Sequence, residues 1–278
     1  MSGIENSHRA RKRFGQNFLH DESIINQIVR AIRPGKTDNL VEIGPGKGAI
    51  TRLLLDHCQH LNVIELDRDL VAILQNRFGS QNGDGQYSDF RIHQADALKF
   101  DFAQLGDEQR PLRIVGNLPY NISTPLIFHL LSYSAIISDM HFMLQKEVVL
   151  RMAATAGENN YGRLSIMTQY CCDVENLFNV DPECFDPIPK VDSAIVRLTP
   201  QKTPRHPVID HGVFDRVVRT AFSQRRKTLK NTLKTLLTGD ELANLAIDPS
   251  QRAENLPLAT YAILANYLAT KDPSNNSI

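Results

Sequence analysis

Between Leu40 and Glu65 the chain runs strand, glycine turn, helix, strand and acid, and few folds accommodate that order. Leu40-Val41-Glu42-Ile43 is short and mostly apolar, as a buried strand should be. Gly44-Pro45-Gly46-Lys47-Gly48 is too rich in glycine to continue it and allows a tight reversal. A helix carrying Ile50, Leu53, Leu54 and Leu55 follows, then a second strand over Leu61-Asn62-Val63-Ile64-Glu65. Strands joined through helices imply right-handed crossovers and a parallel, doubly wound sheet.

The pattern continues downstream. Asp69 to Phe78 reads as a helix, Gly79 to Gly85 as a loop, and Phe90 to His93 as a third strand leading to Asp96. Leu112 to Gly116 is a fourth strand, Pro125 to Leu131 a helix and His141 to Gln145 a fifth strand. Leu164 to Cys171 and Ser193 to Leu198 read as the last strands, with a proline-rich ordered loop from Pro182 to Pro189 between them. Upstream, Asp21 is placed to cap a helix bearing Ile24, Ile25, Ile28, Val29 and Ile32 on one face, which Pro34-Gly35 ends. After Pro200 the composition shifts. Gln201 to Pro207 reads as a linker, and Val213 to Ala221, Lys227 to Leu237, Asp240 to Leu245 and Leu258 to Leu268 read as helices. The expected organisation is an α/β domain over residues 1–200 and a small all-α domain over 201–278.

Formal net charge is zero, which by itself speaks against a polyanionic partner. The distribution does not. Arg9, Arg11, Lys12 and Arg13 cluster near the start, and Arg216, Arg219, Arg225, Arg226, Lys227, Lys230 and Lys234 share their segment with Asp215 alone. Local field steers a polyanion, whatever the total. Cys58, Cys171, Cys172 and Cys184 make no C-x-x-C pair and no histidine cluster completes a metal site, so a reducing compartment and no metal are expected. The basic N-terminus lacks the apolar run of a secretory signal, and no stretch is long and apolar enough to span a bilayer. A cytoplasmic protein is the expectation.

The glycine turn fits a relaxed dinucleotide fingerprint, Gly44-x-Gly46-x-x-Ala49, with Glu65 about 20 residues on to accept from ribose hydroxyls. That chemistry serves a nicotinamide cofactor and S-adenosylmethionine equally. Glu42 inside the strand is unusual for a dehydrogenase, and it suits orienting a cationic ligand or the loop. Asp96 caps a turn or accepts from an adenine amine. Asn117-Leu118-Pro119-Tyr120 separates the two cofactors. It follows the fourth strand, at the sheet edge where ligands bind. The Asn117 side-chain and Leu118 backbone carbonyls can both accept from an –NH₂, Pro119 fixes φ, and the Tyr120 ring offers a face for a flipped base. Hydride transfer has no use for such a group; methylation of an amine does.

At these residues the chain resembles the ribosomal RNA adenine N6-dimethyltransferase family, and within it the bacterial small-subunit (16S) branch. The likeness covers Arg11 to Leu19, Val41 to Gly46, Val63 to Asp67, Gly116 to Thr124, Phe142 to Val148, Tyr161 to Ser165, Phe185 to Ser193, Ala221 to Thr228 and Arg252 to Leu256. It implies a Rossmann-like class I methyltransferase sheet with a helical C-terminal domain that recognises RNA. It also implies that Asn17, Leu19, Gly44, Gly46, Glu65, Asp96 and Asn117 hold S-adenosylmethionine. Asn117, Leu118, Tyr120 and Phe185 would form the target-base site; for Phe185 a plain core position is the alternative. Arg11, Lys12, Arg13, Arg225, Arg226 and Lys227 suit RNA contact, the last three beginning a helix. The implied partner is 16S rRNA within the immature small subunit, approached by a monomer. A non-catalytic assembly factor for that subunit is the main competing reading. A large-subunit resistance methyltransferase is disfavoured by the long helical tail, and a DNA adenine methyltransferase by the lack of a separate sequence-reading domain.

Overall fold

The computed structural model describes Arg11 and residues 16–79, 89–107 and 109–271. It divides into two compact units, one of residues 1–149 and 175–200, the other of 150–174 and 201–278.

The first unit opens with β1 (Phe18–Leu19) and α1 (Glu22–Ile32). Asp21 caps α1, its carboxylate accepting from Ile24 N at 2.9 Å, and the helix buries Ile25, Ile28, Val29 and Ile32. Then come β2 (Asn39–Ile43), α2 (Ala49–Leu55), β3 (His60–Glu65), α3 (Arg68–Phe78), β4 (Asp89–Gln94), β5 (Leu112–Asn117), α4 (Ser123–Leu131), β6 (Ile137–Gln145) and α5 (Lys146–Ala153). After α6 (Arg163–Cys171), the chain forms β7 (Cys172–Val180), β8 (Phe185–Asp186) and β9 (Ser193–Pro200). The seven-stranded sheet runs β4-β3-β2-β5-β6-β9-β7. The pairs from β4 to β6 are parallel and β6 meets β9 antiparallel. The order reverses between β2 and β5, which are joined through β3 and β4. Ligands of open α/β sheets gather at such a switch point. β2 is buried along its whole length, as a central parallel strand must be.

Gly116 makes that centre possible. In the register Ile43↔Gly116, a Cβ on Gly116 would stand 2.6 Å from the Ile43 carbonyl oxygen. A second, two-stranded sheet pairs Phe18 with Asp186 and Leu19 with Phe185.

Three expectations are corrected. Leu164 to Cys171 is not a strand but most of α6, because its apolar residues serve a helical face: Ile166 and Tyr170, four apart, are buried in one core, and Met167 and Cys171, again four apart, pack against it. The strand lies just beyond it, as β7. Residues 150–174 also do not belong with the sheet domain. Ala154, Tyr161, Ile166 and Tyr170 share one core with Val213, Phe214, Val217 and Leu264 of the helical unit, and Tyr161 donates to the Leu256 carbonyl at 2.9 Å. That unit holds α7 (His211–Ala221), α8 (Leu229–Thr232), α9 (Gly239–Asn244) and α10 (Leu258–Lys271). The helix expected over Lys227 to Leu237 is confined to the single turn of α8.

Candidate active site

A cavity of about 370 Å³ opens at the carboxyl ends of β2, β3 and β5 in the first unit. Its size suits a small-molecule cofactor. The glycine turn forms one wall. Gly44, Gly46 and Gly48 have φ of +67°, +59° and +82°, a region that side chains disfavour. A Cβ on Gly46 would sit 3.2 Å from the Phe18 ring, so the turn and the N-terminal segment are in close approach. Lys47 Nζ lies 4.7 Å from the centre of the same ring.

Acids face this turn. Glu65, at the end of β3, accepts from Gly46 N at 3.4 Å and from Asp67 N at 2.9 Å. Burial raises its pKa despite those bonds. Glu42 is 2 % exposed and accepts from Thr51 Oγ1 at 2.6 Å. Burial, with a smaller contribution from the nearby Glu65 charge, outweighs that hydrogen bond and pushes Glu42 up to about 7. Asp96 also lines the cavity, while its Oδ1 accepts from Leu98 N at 3.0 Å, so the same carboxylate caps the turn. Ile43, Ile64, Leu66, Leu70 and Ala97 supply the apolar walls between these acids.

Asn117 and Tyr120 line the same cavity. Asn117 Nδ2 donates to the Asn17 carbonyl at 3.2 Å, which orients the amide and reserves Oδ1 as its acceptor end. Leu118 N donates to Met143 O at 3.1 Å, tying the tetrapeptide to β6. Tyr120 Oη is 2.9 Å from Ser193 Oγ at the start of β9, and burial raises the phenol's pKa.

Gln16, Asn17, Phe18 and Leu19 close another side. Their anchor was not foreseen from sequence. Arg11 donates to Asp67 at 2.8 Å and also pairs with Asp69, and Gln16 Nε2 donates to Asp67 at 3.2 Å. Asp67 is the N-cap of α3, two residues past Glu65, and its carboxylate also accepts from Asp69 N at 3.1 Å.

Other expected residues lie elsewhere. Phe185 is 2 % exposed and is absent from the cavity wall. It packs with Leu19, Val180 and Ile195 in the core, so its direct contact is with the site's framework and not with the site's interior. Arg11, expected at RNA, is engaged by two carboxylates. Lys12 and Arg13 fall outside the described residues. Arg225, Arg226 and Lys227 are exposed and lie in turns before α8, not within a helix. Arg225 is held by Glu254 at 3.4 Å and by the Asn159 carbonyl. Among the described residues no cluster of histidine, cysteine or acid could hold a metal ion, and no helix is long and apolar enough to cross a membrane.

The profile of a family described as "Ribosomal RNA adenine dimethylase" matches residues 7–270. The chain belongs to the ribosomal RNA adenine dimethylase family. It is 63 % identical over 261 residues to "Ribosomal RNA small subunit methyltransferase A" of Saccharophagus degradans, covering 94 % of this chain and 95 % of the relative. A dimethyladenosine transferase from Plasmodium falciparum superposes with a TM-score of 0.78 at 27 % identity, covering 92 % of this chain and 98 % of that one. The 23S rRNA methyltransferase ErmE superposes with a TM-score of 0.66 at 22 % identity, covering 91 % of this chain and 99 % of its own, a likeness of fold.

The enzyme is thus an rRNA adenine dimethyltransferase with the class I methyltransferase fold and uses S-adenosylmethionine. The residues present fit that cofactor. Three carboxylates around a glycine turn welcome a cationic sulfonium, an ammonium and ribose hydroxyls, whereas a pyrophosphate would add negative charge to a wall that already carries it.

Proposed function

We propose that the enzyme converts two adjacent adenines near the 3′ end of 16S rRNA to N6,N6-dimethyladenine, acting as a monomer on the immature small ribosomal subunit in the cytoplasm. Nearly full-length similarity to a small-subunit methyltransferase supports the choice of RNA. The observation that carries the chemistry is the orientation of Asn117, whose amide nitrogen donates to the Asn17 carbonyl while the side-chain oxygen can accept.

S-adenosylmethionine supplies a methyl group on a positively charged sulfur, and that charge disappears on transfer. The chain's own residues address the harder problem, the nucleophile. An adenine N6 lone pair is delocalised into the ring. Asn117 Oδ1 and the Leu118 carbonyl would accept its two hydrogens and favour a pyramidal nitrogen with the lone pair localised. The Tyr120 ring, braced through Ser193, would hold the base by stacking. Positioning of this kind accounts for much of the rate of a bimolecular transfer. The methylated nitrogen is acidic and loses its proton to water, so no strong base is required. Glu65 would bind the ribose hydroxyls, Asp96 the cofactor's adenine amine, and Asn17, Leu19, Gly44 and Gly46 would surround the rest. Phe185 would shape the site through Leu19. The helical unit would recognise the ribosome, with Arg226 and Lys227 exposed for phosphate.

The test is tritiated methyl transfer to small subunits lacking these modifications, followed by nucleoside analysis. Label recovered as dimethyladenosine supports the reading; label on a ring carbon or a ribose oxygen, or none, ends it.

A further inference from the structure

The loop from Asp186 to Asp192 is tied to the cavity wall at both ends. At one end Phe185 pairs with Leu19, a cavity-lining residue. At the other, Ser193 Oγ meets Tyr120 Oη at 2.9 Å, and Tyr120 lines the cavity too. A backbone bond from Lys146 N to Asp192 O at 2.9 Å fixes the exit further. The two anchors themselves are buried: Phe185 is 2 % exposed and Ser193 1 %.

Between them the side chains turn outward. Ile188 is 65 % exposed and Val191 43 %, which puts both among the most exposed large apolar residues described. Prolines 187 and 189 flank Ile188, and Pro189 is buried. The loop's backbone is stiff, its ends are pinned, and its apolar tips are in water. Leaving a branched aliphatic side chain in water forgoes the stabilisation that burying it would bring. A stiff loop that does so beside a binding site is suited to a surface that arrives later.

The arriving surface follows from the reaction. An adenine whose N6 must enter a cavity has to leave its stack, and the unstacked neighbours are left with an exposed gap. Proteins that unstack bases fill such gaps with apolar wedges, isoleucine among them. We propose that Ile188, seconded by Val191, is the wedge that occupies the space vacated by the target adenine while Tyr120 receives the base. The partner is therefore the nucleotide stack adjoining the methylated adenines. This rests on the adenine-methylating reading of the same site. The charges on the loop do not argue for a phosphate contact: its one cation, Lys190, is outnumbered by Asp186 and Asp192, the last 3.8 Å from Lys146 Nζ. The contact is apolar stacking.

The experiment compares wild type, Ile188→Ala, Ile188→Asp and Ile188→Met on undermethylated small subunits, with S-adenosylmethionine affinity by calorimetry and melting temperature as controls. A wedge acts after docking, so Ile188→Ala should lower kcat at saturating subunits by about 10-fold, the scale of losing a well-packed side chain. KM, cofactor affinity and melting temperature should hold, Ile188→Met should restore most of the rate, and Ile188→Asp should fall furthest. A change in KM with kcat intact would overturn the wedge in favour of a mere docking contact, and unchanged kinetics in Ile188→Asp would overturn it outright. Wild type serves as the internal reference: its own failure to methylate counts against the proposed function and not against the loop.

Discussion

The glycine turn after β2 and the Asn117 to Tyr120 turn after β5 sit side by side in the parallel register that pairs Ile43 with Gly116, yet they are built on opposite plans. The first is backbone. Three glycines with positive φ set its path, its backbone N–H groups donate to Ile64 and Glu65 of β3, and Glu42 of β2 is bonded to Thr51 of the helix the turn starts. The second is side chain. Asn117 reaches to Asn17, 100 residues away, and Tyr120 to Ser193, 73 away. A small cofactor of constant shape can be met by a wall that folds locally. On the proposed reading, a base delivered by a macromolecule would be met by groups strung between distant segments. The base side is where single side chains should matter most to rate, and the cofactor side is where they should matter to stability and pH.

The largest effect is expected at Asn117. On the proposed mechanism Asn117→Ala would remove an acceptor that gains strength only as the amine pyramidalises, and loss of one such preorganised group costs about 10²–10³ in kcat. Cofactor affinity should change far less, read by calorimetry beside a single-turnover assay. The same variant separates catalysis from assembly: if cells need only binding, it should still support subunit maturation. Equal losses in kcat and cofactor affinity would erase the distinction between the two turns.

Gly116→Ala tests where the two turns meet. Its Cβ would stand 2.6 Å from a backbone oxygen of β2, which no rotamer change relieves. Forced strand separation should cost about 1–3 kcal/mol, as overpacked cores do. For a chain of this size that lowers the melting temperature by about 2–4 °C for each kcal/mol. An unchanged melting temperature would mean that the central strands can spread freely.

The backbone-built wall has its own signature in pH. Glu42 is raised to about 7 from an ordinary 4.5, so across that window the native chain binds more protons than the unfolded chain. The buried acid leaves stability highest below the window, lowers it as pH rises through it, and has no further effect above. A cationic cofactor favours the ionised form, so its affinity should rise over the same interval. Glu42→Gln should flatten both profiles. A variant whose two profiles keep the wild-type slope would assign them to another group.

This contrast also governs what the sequence made legible. The glycine turn, Glu65 and the Asn117 tetrapeptide stand out because each follows an apolar strand, and strand ends are where a parallel sheet collects its chemistry. The α6 segment misleads because Leu164, Ile166 and Met167 read as a buried run of either kind. The strand that follows, Cys172–Val180, is hard to see because Asp173, Glu175, Asn176 and Asn179 are all poor strand formers. Phe185 and Arg11 show a different gap. Each carries a residue type suited to a ligand, and only the fold shows that the ring is packed in the core and the guanidinium engaged by two acids.

Arg11 gives the smallest expected effect and the sharpest test of the comparison, because it is a long-range side-chain tie on the cofactor side. Its partner Asp67 is 1 % exposed in its side chain, whereas Arg11 itself is 32 % exposed, so solvent screens the pair in part. Gln16 and the Asp69 backbone N–H still satisfy Asp67 when Arg11 is removed, at 3.2 and 3.1 Å, so the acid is not stranded. Arg11→Ala should therefore cost about 1 kcal/mol, some fivefold in S-adenosylmethionine affinity. The loss should appear in the dissociation rate, because Gln16 to Leu19 line the cavity and Arg11 helps hold them there. Added salt should speed release from wild type and leave the variant almost unmoved. If instead Arg11→Ala releases cofactor at the wild-type rate but weakens subunit binding, the guanidinium serves RNA and the N-terminal wall is held without it, by Gln16, the Asn117 amide and the pairing of β1 with β8.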